Sequence, residues 1–216
     1  MVDAQEFPNL HVVDHPLVLH KLSHLRDETT STHEFRALLR EMALLIGYEI
    51  TRKLDMSSKL INTPITSMEA PILSSIKPAI VPVLRAGLGM AEGLSQLMPT
   101  APIGHIGLFR DPETRRPVEY YVRLPDNKDR LFILVDPMLA TGYSASYAVD
   151  VLNKYGVPDS KIRFMAMVAV PEGMRAFNEA HSTVEVWAAA LDEKLNEKAY
   201  IVPGLGDAGD RLFETS

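Results

Sequence analysis

The sequence predicts an α/β fold: an open, mostly parallel central sheet with helices on both faces, an N-terminal helical part, a projecting β-hairpin and a C-terminal hood segment. Three observations carry this. Residues 79–84, 132–135 and 162–170 are short, almost continuous apolar runs rich in β-branched residues, the pattern of strands buried on both faces. Stretches of helical period separate them, as crossovers between parallel strands require. The run 132–135 also leads through Asp136 and the small residues Thr141, Gly142 and Ser144 straight into a helical pattern, and ligands of open α/β sheets bind at such strand-to-helix turns.

The chain has 216 residues, 46% of them hydrophobic, which suits one domain spanning 1–216 with a substantial core. It contains no cysteine, so disulfides, thiolate metal sites and cysteine nucleophiles are excluded. The first ten residues lack a basic region followed by an apolar run, so no signal peptide is expected. Apolar runs such as 164–170 are far too short to span a membrane. A cytoplasmic protein without a membrane partner is the expectation. The net charge is −6, with the basic residues scattered, which argues against nucleic acid as a partner. Small anions stay open, because a few local arginines and a metal ion can reverse the field of an acidic protein.

Taken in order, His15-Pro16 opens a short helix with Leu17, Leu19, Leu22 and Leu25 as its apolar side. Ser31 and Glu34 have capping-box spacing, so a long helix is predicted to about Leu54. Its stripe is Phe35, Leu38, Leu39, Met42, Leu45, Ile46 and Ile50, and Gly47 within it marks close packing against a neighbour. Residues 57–72 are poorly patterned and read as short, irregular β pieces. A strand at 79–84 leads into a helix from about Gly87 to Met98, stopped by Pro99. The next strand is 103–109.

Residues 110–130 are charged and proline-containing, with a β-prone centre at 118–124, and read as a projecting hairpin that could act as a lid beside the ligand edge. Beyond the central strand, helices at 145–155 and 172–180 alternate with strands at 162–170 and 184–191.

Several familiar chemistries are absent. Gly204, Gly206 and Gly209 match G-x-G-x-x-G, yet only seven residues follow, too few for a dinucleotide-binding unit. Lysine does not follow Gly142, which excludes a P-loop. The seven histidines are dispersed and give a structural metal no support. What remains is a set of sheet-edge loops carrying Arg85, Arg110 and residues 136–144. Two arginines and a helix N-terminus suit a substrate with more than one phosphate, and Asp136 could accept from ribose hydroxyls. Solvated arginines and an ordinary strand-to-helix loop are the plain alternatives, as a surface tail is for the glycines.

Three stretches then coincide in order: V83-L-R-A-G-L-G89, V135-D-P-M-L-A-T-G-Y-S144 and A199-Y-I-V-P-G-L-G-D-A-G-D-R211. With L191-D-E-K-L-N-E-K198, they resemble the uracil phosphoribosyltransferase family, and the similarity runs from His15 almost to the end. The resemblance implies transfer of a phosphoribosyl group from phosphoribosyl pyrophosphate to N1 of uracil, giving uridine monophosphate and pyrophosphate. It implies that the donor is bound by Asp136, Pro137, Met138, Leu139, Ala140, Thr141, Gly142, Tyr143 and Ser144, with 140–144 around the 5′-phosphate. Arg85 and Arg110 would face the pyrophosphate. Ile201, Gly206, Asp207 and Ala208 would grip uracil through main-chain groups, and the segment 192–216 would form the base site.

Asp207 would also touch the donor, and Arg85, Arg110, Asp136 and Asp207 are the implied catalytic set. Magnesium (Mg2+) is the expected cofactor, carried mainly by the donor, with Asp207 as a ligand through water. A homodimer or homotetramer is implied, and GTP is an effector of some relatives. Many relatives have a second glycine where Tyr143 stands; tyrosine fits there if φ is negative, with the ring pointing away from the anion. Asp207 is the nearest candidate for a general base. Transfer to another base, or a silent regulator that senses uridine monophosphate, are the rival readings.

Overall fold

The computed structural model describes residues 4–73, 76–111 and 116–215. A short strand, β1 (Leu10–Val12), precedes α1 (Pro16–Arg26). The buried side of α1 is Val18, Leu22 and Leu25, at steps of four and three. Leu17 and Leu19 face solvent, which corrects the predicted stripe. Helix α2 (Thr32–Ile50) opens on the predicted capping box: the Glu34 amide donates to Ser31 Oγ at 3.3 Å and the Ser31 amide to the Glu34 carboxylate at 3.2 Å. It ends at Ile50, and residues 51–53 tighten into a 3-10 turn.

Strands β2 (Met56–Asn62) and β3 (Ser67–Leu73) form a regular antiparallel hairpin rather than irregular pieces. Its residues are almost all exposed, Leu60 and Ile65 among them. With neither face buried, no inside–outside alternation is imposed on the sequence, so the pattern that normally betrays a strand is missing.

Next come β4 (Ala79–Leu84), α3 (Gly87–Leu97), β5 (His105–Arg110), β6 (Pro117–Arg123) and β7 (Phe132–Val135). Helix α3 packs on α2 at Gly47, where a Cβ would collide with Leu94. Strands β5 and β6 pair antiparallel, so that the β-prone centre expected at 118–124 becomes an edge strand of the main sheet, with residues 112–115 outside the described residues.

The chain continues through β8 (Met138–Leu139), α4 (Tyr143–Lys154), β9 (Ile162–Met165), β10 (Val168–Ala169), α5 (Pro171–His181), β11 (Glu185–Ala188) and β12 (Ala190–Leu191). It closes with β13 (Lys194–Leu195), β14 (Ile201–Val202) and α6 (Ala208–Phe213). The predicted strands at 162–170 and 184–191 are each divided in two. Their second halves, β10 and β12, leave the main sheet and pair with β8 in a small parallel sheet ordered β12-β10-β8.

The main sheet runs β1-β11-β9-β7-β4-β5-β6, parallel throughout except for the edge strand β6. Along β7, Phe132 and Leu134 join a core with α4 and α5, while Ile133 and Val135 join one with α1, α2 and α3. Every residue of β7 is therefore buried, as its unbroken apolar run foretold. After β4 the chain passes through α3 to β5 on one side, and β7 lies on the other. The carboxyl ends of β4 and β7 thus flank a topological switch point. Among the described residues, no helix is long and apolar enough to cross a membrane.

Candidate active site

A cleft of about 490 Å³ opens at that switch point. Its walls come from the loop after β4 (Leu84, Arg85, Ala86), the end of β5 (Leu108, Phe109), the loop after β7, and the hood around α6. From the predicted set it gathers Arg85, Asp136, Met138, Leu139, Ala140, Thr141, Gly142, Ser144, Ile201 and Asp207. Pro137, Tyr143, Gly206 and Ala208 do not line it. Pro137 is buried and its carbonyl accepts from the Met167 and Val168 amides, so it anchors the loop from behind. Ala208 is buried against the α2–α3 core. Arg110 ends β5 opposite Pro117, and its side chain lies outside the described residues.

The loop after β7 is held by its backbone. The Asp136 amide donates to the Met165 carbonyl at 3.1 Å, and the Val170 amide to the Leu139 carbonyl at 3.2 Å. Gly142 caps α4 with φ +80°, and a Cβ there would sit 2.7 Å from the Gly173 carbonyl of α5. Only glycine satisfies both the left-handed backbone and the close approach. Tyr143 is the first residue of α4, with no positive φ and a ring 57% exposed. The tyrosine is accommodated by turning outward, as expected of a residue at negative φ.

The first intrahelical bond of α4 runs from the Ser146 amide to the Gly142 carbonyl at 2.9 Å. The amides of 143–145 therefore have no acceptor within the helix. Free amides and the positive end of a helix make this corner suited to a phosphate.

Arg85 is exposed, and its guanidinium lies over the Phe213 ring at 5.3 Å, with Nη2 donating to Thr215 Oγ1 at 3.4 Å. The end of α6 thus packs against a residue from a loop more than a hundred positions earlier. Opposite, Asp207 caps α6 by accepting from the Asp210 amide at 3.0 Å. Ile201 is the first residue of β14 and is held opposite Leu195 of the antiparallel β13.

Sequence reasoning missed Leu108, Phe109, Lys198, Ala199 and Tyr200 as lining residues. Lys198 adds a cation to a cleft containing Arg85, Asp136 and Asp207. It sits where two of the quoted stretches meet, but a lysine in a charged run carries no chemical signal of its own. Its position follows from the turn below it, where Asn196 Oδ1 accepts from the Lys198 and Tyr200 amides at 3.0 and 2.9 Å and Ala199 takes φ +63°.

Comparison with known proteins decides the family. The sequence profile described as uracil phosphoribosyltransferase matches residues 12–215. The chain belongs to the uracil phosphoribosyltransferase family. It is 63% identical over 210 residues to the uracil phosphoribosyltransferase of Rhodospirillum centenum, covering 97% of both chains. With that of Ralstonia pickettii it shares 61% over 215 residues, covering 100% of this chain and 99% of the relative. Among solved structures, the AQ2163 protein of Aquifex aeolicus superposes with a TM-score of 0.90 at 36% identity, covering 96% of this chain and 99% of that one. The architecture is that of the type I phosphoribosyltransferases.

Among the described residues, no group of three or more His, Asp or Glu side chains could by itself hold a metal ion. Asp136 and Asp207 are the carboxylates lining the cleft. A pair of separated carboxylates fits the way magnesium usually binds, hydrated and largely through substrate phosphates. It does not resemble a closed protein cage.

Proposed function

We propose that the chain forms uridine monophosphate by joining uracil N1 to C1′ of phosphoribosyl pyrophosphate. The C1′–O bond to the diphosphate breaks, pyrophosphate leaves, and the N1 proton is lost. The observation that carries this reading is a single cleft with the start of α4 on one wall and Lys198–Ile201, Asp207 and Gly209 of the C-terminal segment on another. A sugar phosphate held at the first wall turns its anomeric carbon toward a flat base held at the second.

In this reading Ala140, Thr141, Gly142, Tyr143 and Ser144 surround the 5′-phosphate, the last three chiefly through the helix-opening amides. Asp136 accepts from the ribose hydroxyls, and Pro137, Met138 and Leu139 hold the loop in register. As the C1′–O bond weakens, positive charge grows on the ribose and negative charge on the diphosphate. Arg85 answers the second change, and Arg110 would help from the hairpin side. Magnesium, when bound with the donor, supplies further neutralisation of the diphosphate, and Asp207 would hold it through water. Ile201 and Asp207, which line the cleft, read the base edge through main-chain groups, with Gly206 and Ala208 shaping the turn behind them, and the Asp207 carboxylate is the acidic residue assigned to accept the N1 proton.

We also propose that the protein is a homodimer or homotetramer. The exposed β2–β3 hairpin supports this, since an isolated two-stranded ribbon is marginal in water.

The test of the activity is formation of labelled uridine monophosphate from uracil, donor and magnesium, with cytosine as control. Product from uracil and little from cytosine is expected, because the pyrimidine edges differ in donor and acceptor pattern. Absence of product refutes the transfer, and equal use of cytosine refutes the base assignment.

A further inference from the structure

We infer that Arg26 and Asp192, which lie outside the cleft, are the positioning residues of the base-recognition loop and set the affinity for the pyrimidine separately from that for the donor. The inference rests on the proposed uracil site at Ile201 and 206–208. Arg26 closes α1, and Asp192 follows β12. Their side chains meet as a two-pronged pair, Nη1 to Oδ2 at 2.7 Å and Nη2 to Oδ1 at 2.5 Å. Asp192 is 5% exposed.

Both atoms of the first prong, Arg26 Nη1 and Asp192 Oδ2, extend to one glycine. The Gly204 amide donates to Asp192 Oδ2 at 3.0 Å, and Arg26 Nη1 donates to the Gly204 carbonyl at 2.6 Å. The ion pair therefore occupies both polar groups of a residue whose φ is +65° and whose missing Cβ would strike the Ile201 carbonyl. Gly204 is the point where the chain doubles back from Ile201, which lines the cleft, toward Gly206 and Asp207.

A second guanidinium holds the next residue. Arg211 Nη1 bridges the Leu205 carbonyl at 2.9 Å and the Leu25 carbonyl at 2.6 Å, and Nη2 takes the Asp27 carbonyl at 2.6 Å. Burial pushes the Arg211 guanidinium below its ordinary value, with the Asp27 charge opposing the shift. It remains a cation all the same. Residues 204 and 205, the link between the two halves of the base site, are thus tied from behind to the end of α1.

Asp192 also connects the two substrate sites. Its amide donates to the Ala169 carbonyl of β10 at 2.7 Å, and β10 pairs with β8 inside the donor loop. The carboxylate thereby places the base loop relative to the donor loop, while the donor loop keeps its own supports from Met165 and α5. Loss of the pair should loosen the base side alone.

The experiment is steady-state kinetics on the full chain bearing Asp192→Ala, Asp192→Asn or Arg26→Lys, with amide hydrogen exchange on the same samples. Asp192→Ala orphans the Gly204 amide and leaves Arg26 unpaired, and it should raise the uracil KM about tenfold or more. The donor KM and kcat should stay within about twofold, the signature of lost ground-state binding to one substrate. Asp192→Asn keeps an acceptor for Gly204 and should recover part of the loss. Arg26→Lys keeps the charge but loses the fork, and should resemble Asp192→Ala.

In exchange, protection should fall across 201–207 while α4 keeps its own. An unchanged uracil KM in folded variants overturns the inference, and so does an equal rise in both KM values. If Asp192→Ala does not fold, the two milder variants decide. Should the unaltered protein make no uridine monophosphate, the functional reading fails, while the exchange pattern still tests the clamp.

Discussion

At the scale of single residues, Arg85 connects chemistry to fold most directly. It comes from the loop after β4, at the sheet edge where the cleft opens, and it rests on Phe213. In the proposed reaction a cation facing the leaving diphosphate would matter most once charge has moved onto it, so its loss should appear in turnover rather than in binding. Arg85→Ala is expected to lower kcat about a hundredfold, equivalent to roughly 3 kcal/mol, with the KM values little changed. Steady-state rates check this, and unaltered turnover would exclude the role. Arg85 was legible in the sequence because a strand pattern ended just before it. Lys198 was not, because its approach to the cleft depends on a turn held by Asn196.

Elements carry the next layer. Helix α2 is fastened at its start by Ser31 and Glu34, and it carries the face on which α1 and α3 pack. Ser31→Ala should cost about 1 kcal/mol in denaturant unfolding. The hydrogen bonds from the Ser31 hydroxyl and amide hold the Glu34 carboxyl below the ordinary glutamate range. A depressed folded-state value means that this contribution is complete above the unfolded glutamate's pKa, about 4.3, and is lost as pH falls through the folded one. Stability measured between neutral and acid pH should therefore fall less steeply in Ser31→Ala below that point, and identical slopes would contradict the assignment. The capping box could be read directly because it is a local code, complete within four residues. The β2–β3 hairpin could not, since its strands bury neither face and so show no period.

For the whole molecule, strand order is what turns separate motifs into a site. Arg85 and Asp136 are 51 positions apart in sequence, yet they share a cleft because β4 and β7 are neighbours and parallel. The segment 199–207 reaches the same cleft only after the chain has crossed to the far side of the sheet and returned over it. The exposed hairpin belongs to this scale as well. Replacing residues 57–72 by a short glycine-serine linker should shift the mass found by analytical ultracentrifugation toward that of a single chain. A wild-type protein that sediments as a monomer would remove the proposed oligomer.

Some properties are already contained in the order of the residues: the buried parallel strands, the capped helix, the phosphate-suited turn and the family. Each depends on near neighbours or on a short run of spacing, so one-dimensional pattern suffices. The division of two apolar runs into β9 with β10 and β11 with β12, the outward ring of Tyr143, the place of Lys198 and the union of Arg26 with Asp192 at Gly204 were settled only by folding. The reason is physical. These features arise from contacts between segments far apart in the chain, and burial and close packing, rather than local preference, select among the conformations each segment could adopt.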